Sequence, residues 1–154
     1  MKKLLFLILL ISFNVMAQNK KNYFIHFTSD PMTNPSAAIM SINAASEALK
    51  QGHDVTYFAA GDGVRILLKD VIKNLHTVTP HGGGSSKISQ MAENLLLEFS
   101  KNGGLIHVSE GSFQTYGINK DNYDANGIDV SGIFWSYPKE LIEESSKADI
   151  VISY

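Results

Sequence analysis

The sequence of 154 residues contains no cysteine. This absence excludes disulfide bonds, catalytic thiols, thiolate metal ligands and lipid attachment through a cysteine side chain. Stability must therefore come from packing and hydrogen bonding alone. The sequence also lacks an internal repeat, and no break in composition marks a second domain.

Hydrophobic runs are short, and the longest lies near the amino terminus. A basic segment, "MKK", precedes an apolar run of 12 residues, "LLFLILLISFNV", and "VMA" ends just before Gln18. The run is shorter than the roughly 20 residues that a membrane-spanning helix needs. This pattern is typical of a secretory signal peptide. We predict that residues 1–17 are a signal peptide cleaved after Ala17, and that the mature protein is periplasmic or secreted without stable membrane insertion.

Basic residues are not in excess. Without Lys2 and Lys3, the mature chain of 137 residues has 11 basic and 15 acidic residues, a net charge of about -4. Binding to nucleic acid needs clustered Lys and Arg side chains that neutralise phosphates, whereas the one dense basic pair here is Lys20–Lys21. The composition therefore argues against a nucleic-acid partner.

Strand-like and helix-like segments alternate along the mature chain. Short β-favouring runs between turn residues predict strands, and apolar residues spaced by three or four predict amphipathic helices. The predicted strands are 23–27, 54–60, 105–108, a short one within 128–135, and 149–154. The predicted helices are 37–52, 64–74, 87–104 and 138–148, and residues 109–117 are predicted to form a short helix or a turn. This order predicts a three-layer α/β/α domain with a mostly parallel sheet of about five strands.

Two of these helices have a predicted buried face. In the first helix the apolar stripe is Ala38, Ile42, Ala45 and Leu49, with Ser36 as N-cap and Gly52 as the stop. In the third predicted helix the stripe is Ile88, Met91, Leu95 and Phe99. Both helices are therefore expected to pack against the sheet.

Small polar residues follow the predicted strands at the edge where open parallel sheets bind ligands. The candidate ligand-binding residues are Thr28, Ser29, Asp30, Asp62, Ser109 and Ser112. Each of them taken singly is also explained by helix capping or turn formation.

Motifs for phosphate or metal binding are missing. "AAGDGV" lacks the G-x-G-x-x-G spacing, and "HGGGSSK" lacks the Walker spacing and follows no strand. No histidine pair has the H-E-x-x-H spacing. We expect no metal and no cofactor. His26 and His107 lie within strands and would be neighbours if those strands pair, or they are simply buried, hydrogen-bonded side chains.

An aromatic run, "IFWSY" at 133–137, lies between a polar loop and a helix. Its side chains belong to the core, to a lid over the strand ends or to a contact between subunits. The sequence leaves these alternatives open.

The chain resembles the DsrE/DsrF-like family of small α/β proteins, which are named for a role in sulfur trafficking. The resemblance covers nearly the whole mature chain, so we expect residues 18–154 to form one DsrE-like domain. The segments that carry it are "YFIHFTSDP", "TYFAAGDGV", "NGGLIHV", "SEGSFQTYGI" and "ADIVISY".

The resemblance also implies a departure from the family. Its sulfur-handling members carry a reactive cysteine at the end of the third strand, and some carry a C-x-x-C pair followed by a short helix ending in Gly. Counted back from Gly117, these positions fall on Ser109 and Ser112, so C-x-x-C has become S-E-G-S. An unactivated serine hydroxyl cannot form the persulfide that sulfur relay requires.

These observations lead us to expect a non-catalytic module for small-ligand binding or an accessory role, related to the sulfur-relay proteins. The alternative is a serine-dependent hydrolase or transferase with Ser109 or Ser112 as nucleophile, a histidine as base, and Asp30 or Asp62 to orient it. A small-anion site at the start of the short helix is a third possibility, against which the charge of Glu110 counts. The resemblance further implies a homo-oligomer, a trimer or a hexamer.

Overall fold

The computed structural model describes residues 19–76 and 85–154. The predicted signal peptide and most of the "HGGGSS" segment lie outside the described residues. Five strands form one sheet, and all pair in parallel: β1 (Asn22–Phe27), β2 (Asp54–Ala59), β3 (Leu105–Ser109), β4 (Phe134–Ser136) and β5 (Ile150–Ser153). Their order in the sheet is β4-β3-β2-β1-β5. The predicted α/β architecture with a five-stranded parallel sheet is confirmed.

Six α-helices and one 3-10 helix connect the strands in the described residues. They are α1 (Pro35–Lys50), the 3-10 helix (Gly61–Leu67), α2 (Lys69–Ile72), α3 (Ser85–Lys101), α4 (Glu110–Gln114), α5 (Tyr123–Asn126) and α6 (Pro138–Ser146). Gly103, with φ of 95°, ends α3, and the amide of Gly104 donates to the carbonyl of Phe99 at 2.9 Å. This is the usual glycine termination of a helix before the chain enters the next strand.

One face of the sheet carries the main core. Ile25, Phe27 and Tyr57 point to this face and are fully buried against α1 and α3. The hydroxyl of Tyr57 lies 2.9 Å from the hydroxyl of Ser41 on α1. This pair satisfies two polar groups that would otherwise be costly to bury.

The other face is covered more thinly. It carries a row of aromatic side chains in which Phe24 and Phe58 are buried, His107 stacks between Phe58 and Phe134, and Phe134 is 50% exposed. The connection from β4 to β5 carries α6 across this face, since the two strands lie at opposite edges of the sheet. No residue of α6 is buried.

The structure decides between the alternatives for the two histidines. The strands of His26 and His107 do not pair, because β2 lies between them and Phe58 separates the two rings. His107 Nδ1 lies 2.9 Å from Ser136 Oγ, so this histidine has a hydrogen bond. His26 Nε2, in contrast, is buried without a hydrogen-bond partner among the described residues.

Helix details also differ from the sequence-based expectation. The N-cap of α1 is Asn34, not Ser36, because the Asn34 side chain accepts the amide of Ala37 and Pro35 occupies the first helical position. The helix predicted over 64–74 is divided into the 3-10 helix and α2. Extended Leu68 forms a bridge to Gly127 at the division.

The predicted stripe of α3 is shifted. Met91 is 43% exposed, and the buried face is Ile88, Ala92, Leu96 and Phe99.

The side chains of the aromatic run at 133–137 lie on different faces of the sheet. Trp135 packs on Phe113 and Tyr123 of the core, whereas Phe134 lies on the opposite face. Among the described residues, no helix is long and apolar enough to cross a membrane.

We expect stability to fall between pH 7 and pH 5. Burial lowers the pKa of both His26 and His107. The unfolded chain therefore binds more protons than the folded chain below about pH 6.5, and the free energy of unfolding decreases as the pH drops through that range. His26→Phe is expected to flatten this dependence and to match or exceed the wild-type melting temperature at pH 7, because it removes an unpaired buried nitrogen.

Thermal unfolding followed by circular dichroism at pH 5, 6 and 7 measures the effect. The control is His76→Gln, which changes an exposed histidine and should leave the dependence as it is in the wild type. An unchanged dependence in His26→Phe would contradict the assignment to His26.

Candidate functional site

Polar residues after β1, β2 and β3 meet at one edge of the sheet. β1 leads into Thr28, β2 into the 3-10 helix that begins at Gly61, and β3 ends at Ser109. The amide of Ala60 donates to the carbonyl of Phe27 at 3.0 Å, and a Cβ on Gly63 would clash with that carbonyl. Glycine at 63 thus lets the 3-10 helix begin directly against the end of β1.

Ser109 and Ser112 are hydrogen-bonded to each other. Ser112 Oγ donates to Ser109 Oγ at 2.9 Å, and the Ser112 amide donates to the same oxygen at 3.3 Å, so Ser109 is the N-cap of α4. The Gly61 amide donates to Ser112 Oγ at 2.9 Å. This serine pair therefore links the loop after β2 to the start of α4. A Cβ on Gly111 would meet no atom within 4 Å, which leaves this helix start open to approach.

Glu110 lies between the serines in sequence but interacts elsewhere. Its carboxylate pairs with Lys120 at 3.0 Å, and its side chain is 14% exposed. The Lys120 ammonium and the Tyr137 hydroxyl near this carboxylate lower the pKa of Glu110. Its charge is thus directed to the loop after α4 and is balanced there.

A second network joins the loops after β1 and β2 to the end of α4. Arg65 Nη1 donates to Asp30 Oδ1 at 2.8 Å, and the guanidinium carbon lies 5.4 Å from the centre of the Tyr116 ring. The Tyr116 hydroxyl donates to Asp62, and this hydrogen bond to a carboxylate raises the pKa of Tyr116. Tyr116 therefore contacts both a cation and an anion at the same edge.

The six predicted site residues divide into two groups. Asp30, Asp62, Ser109 and Ser112 lie in the two networks just described. Thr28 lies outside both networks, and its hydroxyl donates to the carbonyl of Tyr154, the last residue, at 3.3 Å. Ser29 is half-buried in a bend and lies in neither network.

The serine hydroxyls bond to each other and to backbone amides. In the described parts of the chain, no imidazole or carboxylate is hydrogen-bonded to Ser109 or Ser112, and no group of three or more metal-ligating side chains occurs. A serine nucleophile needs a base within about 3.2 Å. In the described part of the chain, the hydrogen-bond partners of the pair are backbone amides and the two hydroxyls themselves.

The sequence matches the DsrE/DsrF-like family over residues 21–154. The chain belongs to the DsrE/DsrF-like family. Membership relates it to the sulfur-relay proteins, as the sequence resemblance predicted. No curated protein matches the sequence.

Two solved structures share the fold of this DsrE-like chain. The ychN protein from E. coli is 17% identical, with a TM-score of 0.57, and the alignment covers 88% of this chain and 99% of that one. A conserved protein of unknown function, BT1422 from Bacteroides thetaiotaomicron, is 15% identical, with a TM-score of 0.56 and coverage of 90% and 98%. At these identities the likeness shows a common fold.

Arg65 and Tyr116 lie among the polar residues at the carboxyl ends of the strands, but they were not among the site residues predicted from the sequence. Arg65 lies in a predicted helix, and Tyr116 lies in a segment predicted to be a short helix or a turn. One signal was available, since Arg65 is the only arginine among 13 basic residues. The planar guanidinium of arginine can bond a carboxylate and stack on an aromatic ring at once, which lysine does less well.

Ser112→Ala should lower the free energy of unfolding by about 0.5–1.5 kcal/mol. The change removes the acceptor for the Gly61 amide and the donor to Ser109. Urea unfolding measures the difference. Ser146→Ala is the matched control, because that exposed hydroxyl bonds only the carbonyl of Glu143, and it should cost less than about 0.5 kcal/mol. Equal losses in the two variants would mean that the serine pair adds no stability.

Proposed function

We propose that this protein is an exported DsrE-like module that binds a small polar ligand, or serves an accessory role, at the strand-end edge without covalent sulfur transfer. The observation that carries the proposal is the serine pair. Ser109 and Ser112 occupy the positions that the resemblance aligns with the family cysteines, and their hydroxyls bond each other and the Gly61 amide. The edge keeps a structured polar surface and lacks the thiols.

The remaining hydrogen-bonding capacity of this edge favours a ligand with both donors and acceptors. The Ser109 hydroxyl hydrogen has no acceptor among the described residues, and only Nη1 of Arg65 is hydrogen-bonded. Asp30 and Asp62 each bond through one carboxylate oxygen and retain the other. Asp30 and Asp62 carry two negative charges and Arg65 one positive charge, so the binding of a simple anion is disfavoured. Glu110 adds no further net negative charge, because Lys120 neutralises it.

The serine-dependent hydrolase or transferase is the less well supported function. It requires a base that takes the serine proton, and the hydrogen bonds of both hydroxyls lead elsewhere. His107 is bonded to Ser136 on the face that carries α6. We therefore place the role of the edge in binding.

The mature chain beginning at Gln18 should not gain mass when incubated with polysulfide and then desalted. A serine hydroxyl does not form a persulfide under these conditions. The variant carrying both Ser109→Cys and Ser112→Cys should take up sulfur covalently, as measured by intact-protein mass spectrometry. The control carries Ser145→Cys and Ser146→Cys on α6, distant from the edge, and should take up less. Stoichiometric uptake by the wild-type chain would refute a function without covalent sulfur transfer.

Export is part of the proposal and rests on the pattern of residues 1–17. The absence of cysteine is compatible with an oxidising compartment, because no thiol can mispair there. Amino-terminal sequencing of the protein recovered outside the cytoplasm should begin at Gln18. A chain that retains residues 1–17 would contradict cleavage at this site.

We also propose that the protein is a homo-oligomer, as the family resemblance implies, and that a second copy packs on the face carrying α6. Several large side chains there are exposed: Phe134 at 50%, Tyr137 at 51%, Ile142 at 67% and Val151 at 54%. Phe134 and Val151 belong to the two outermost strands, so a second copy would cover this face from one outer strand to the other.

Ile142→Lys should reduce the molar mass measured by light scattering, because a charge would be buried in the interface. Met40→Lys is the control, since Met40 is 52% exposed on α1, against the other face of the sheet. A monomeric wild-type protein, or dissociation by Met40→Lys alone, would contradict the placement.

A further inference from the structure

The methionines that follow the predicted cleavage site all lie at the surface. Of the five methionines in the sequence, Met1 and Met16 precede that site, and the other three are Met32, Met40 and Met91. Their exposed fractions are 37%, 52% and 43%. Methionine is usually buried, because its flexible thioether fills gaps in cores. In the described part of the chain, the buried apolar side chains are instead those of Phe, Tyr, Ile, Leu, Val and Ala.

The surface of α1 leaves the sulfur of Met40 open to solvent. Residues three or four positions away are neighbours on a helix surface. Around Met40 these neighbours are all small: Ser36, Ala37, Asn43 and Ala44. The amide of Asn43 also turns away, since its Nδ2 donates to the carbonyl of Ile39 at 2.8 Å. No long side chain of α1 therefore covers this thioether.

Met91 and Met32 are less open than Met40. Met91 lies on α3 and has the longer side chains of Lys87 and Leu95 four positions away on either side. Met32 lies between β1 and α1, where its backbone amide donates to Asp30 Oδ1 at 3.0 Å. The exposed fractions therefore rank the three sulfurs in the order Met40, Met91, Met32.

An exposed thioether reacts with peroxides. The sulfur lone pair attacks one oxygen of hydrogen peroxide, an S–O bond forms and the O–O bond breaks. The departing hydroxide takes the proton of the new S–OH group and leaves as water, so sulfur is oxidised by two electrons and peroxide is reduced. The sulfoxide is polar and disrupts packing when it forms in a core. At the surface it faces water. Two thiols of a reductant reverse the step, because they remove the oxygen as water and become a disulfide.

We propose that Met32, Met40 and Met91 are sites of reversible oxidation by peroxides, and that the fold is the same in both oxidation states. Because the sequence contains no cysteine, these thioethers are the only sulfur atoms that follow the predicted cleavage site. Oxidation of sulfur is thus confined to the surface and leaves the core as it is. The proposal does not depend on the proposed function at the strand ends.

Treatment of the mature chain with hydrogen peroxide, followed by intact-protein mass spectrometry, tests the proposal. The chain is released at Gln18 from a fusion by proteolysis, so that no initiator methionine is added. We expect a gain of three oxygen atoms, with Met40 oxidised first and Met32 last in peptide maps. The melting temperature measured by circular dichroism should change by less than about 3 °C, because changes at exposed side chains cost little. Sulfoxide reductases specific for the two epimers, supplied with a dithiol, should restore the original mass.

Two variants are the controls. The variant carrying Met32→Leu, Met40→Leu and Met91→Leu should gain no oxygen. Leu96→Met places a thioether of similar volume in the core, since Leu96 is 1% exposed. This buried thioether should be oxidised at least about 10-fold more slowly than the slowest of the three native ones, because it reacts only when the core opens.

Four results would overturn the proposal. They are a gain of fewer than three oxygen atoms at a peroxide dose that fully oxidises free methionine amide, loss of the folded circular dichroism spectrum, incomplete reduction by the two reductases, and oxidation at position 96 as fast as at the native sites. Oxygen uptake by the triple variant would also contradict it. Sulfur uptake at the strand ends is measured separately, so failure of that function and failure of this proposal are distinguishable.

Discussion

Burial of the central strands on both faces is the constraint on which the rest of the structure depends. Ile25 and Phe24, neighbours on β1, are buried on opposite sides of the sheet. Strands buried in this way pair in parallel and need a crossover connection each time, so their carboxyl ends come together at one edge. The serine pair, the aspartates and Arg65 meet there because they directly follow the carboxyl ends of neighbouring strands.

The loops that follow the strands of this DsrE-like chain are joined to one another without a thiol. In this cysteine-free chain, polar side chains join loops that lie far apart in sequence. Ser112 reaches Gly61 across 51 residues, and Arg65 reaches Asp30 across 35. Each bond is modest in free energy, and together they connect three loops to a rigid sheet. The edge is thus organised by its own side chains.

Much of the fold could be read from the sequence because its signals are local. The helix of 35–50 has a repeating apolar face, and the runs "YFIHF" and "LIHV" are short and flanked by turns. The predictions that were wrong concern features that depend on contacts between distant or neighbouring residues rather than on periodicity. Leu68 is extended because it bridges to Gly127, and Asn34 caps α1 because Pro35 fits the first turn. The spacing of α3 fitted two neighbouring stripes, and only packing on the sheet decides between Met91 and Ala92. The strand ends supplied four residues of the two networks, whereas Arg65 and Tyr116 required the tertiary structure.

The path of α6 has a consequence for how the molecule opens. The five-stranded sheet is about 19 Å wide, whereas the nine residues of α6 form a helix about 13 Å long. The helix therefore covers only part of this face. It joins the two outermost strands, and it has no fully buried side chain. Hydrogen exchange should divide the chain accordingly: slow amides in β1, β2 and β3, and a separate cooperative unit of β4, α6 and β5 that opens at lower free energy. Such an opening would uncover His26 and His107 while the loops that hold the serine pair stay closed.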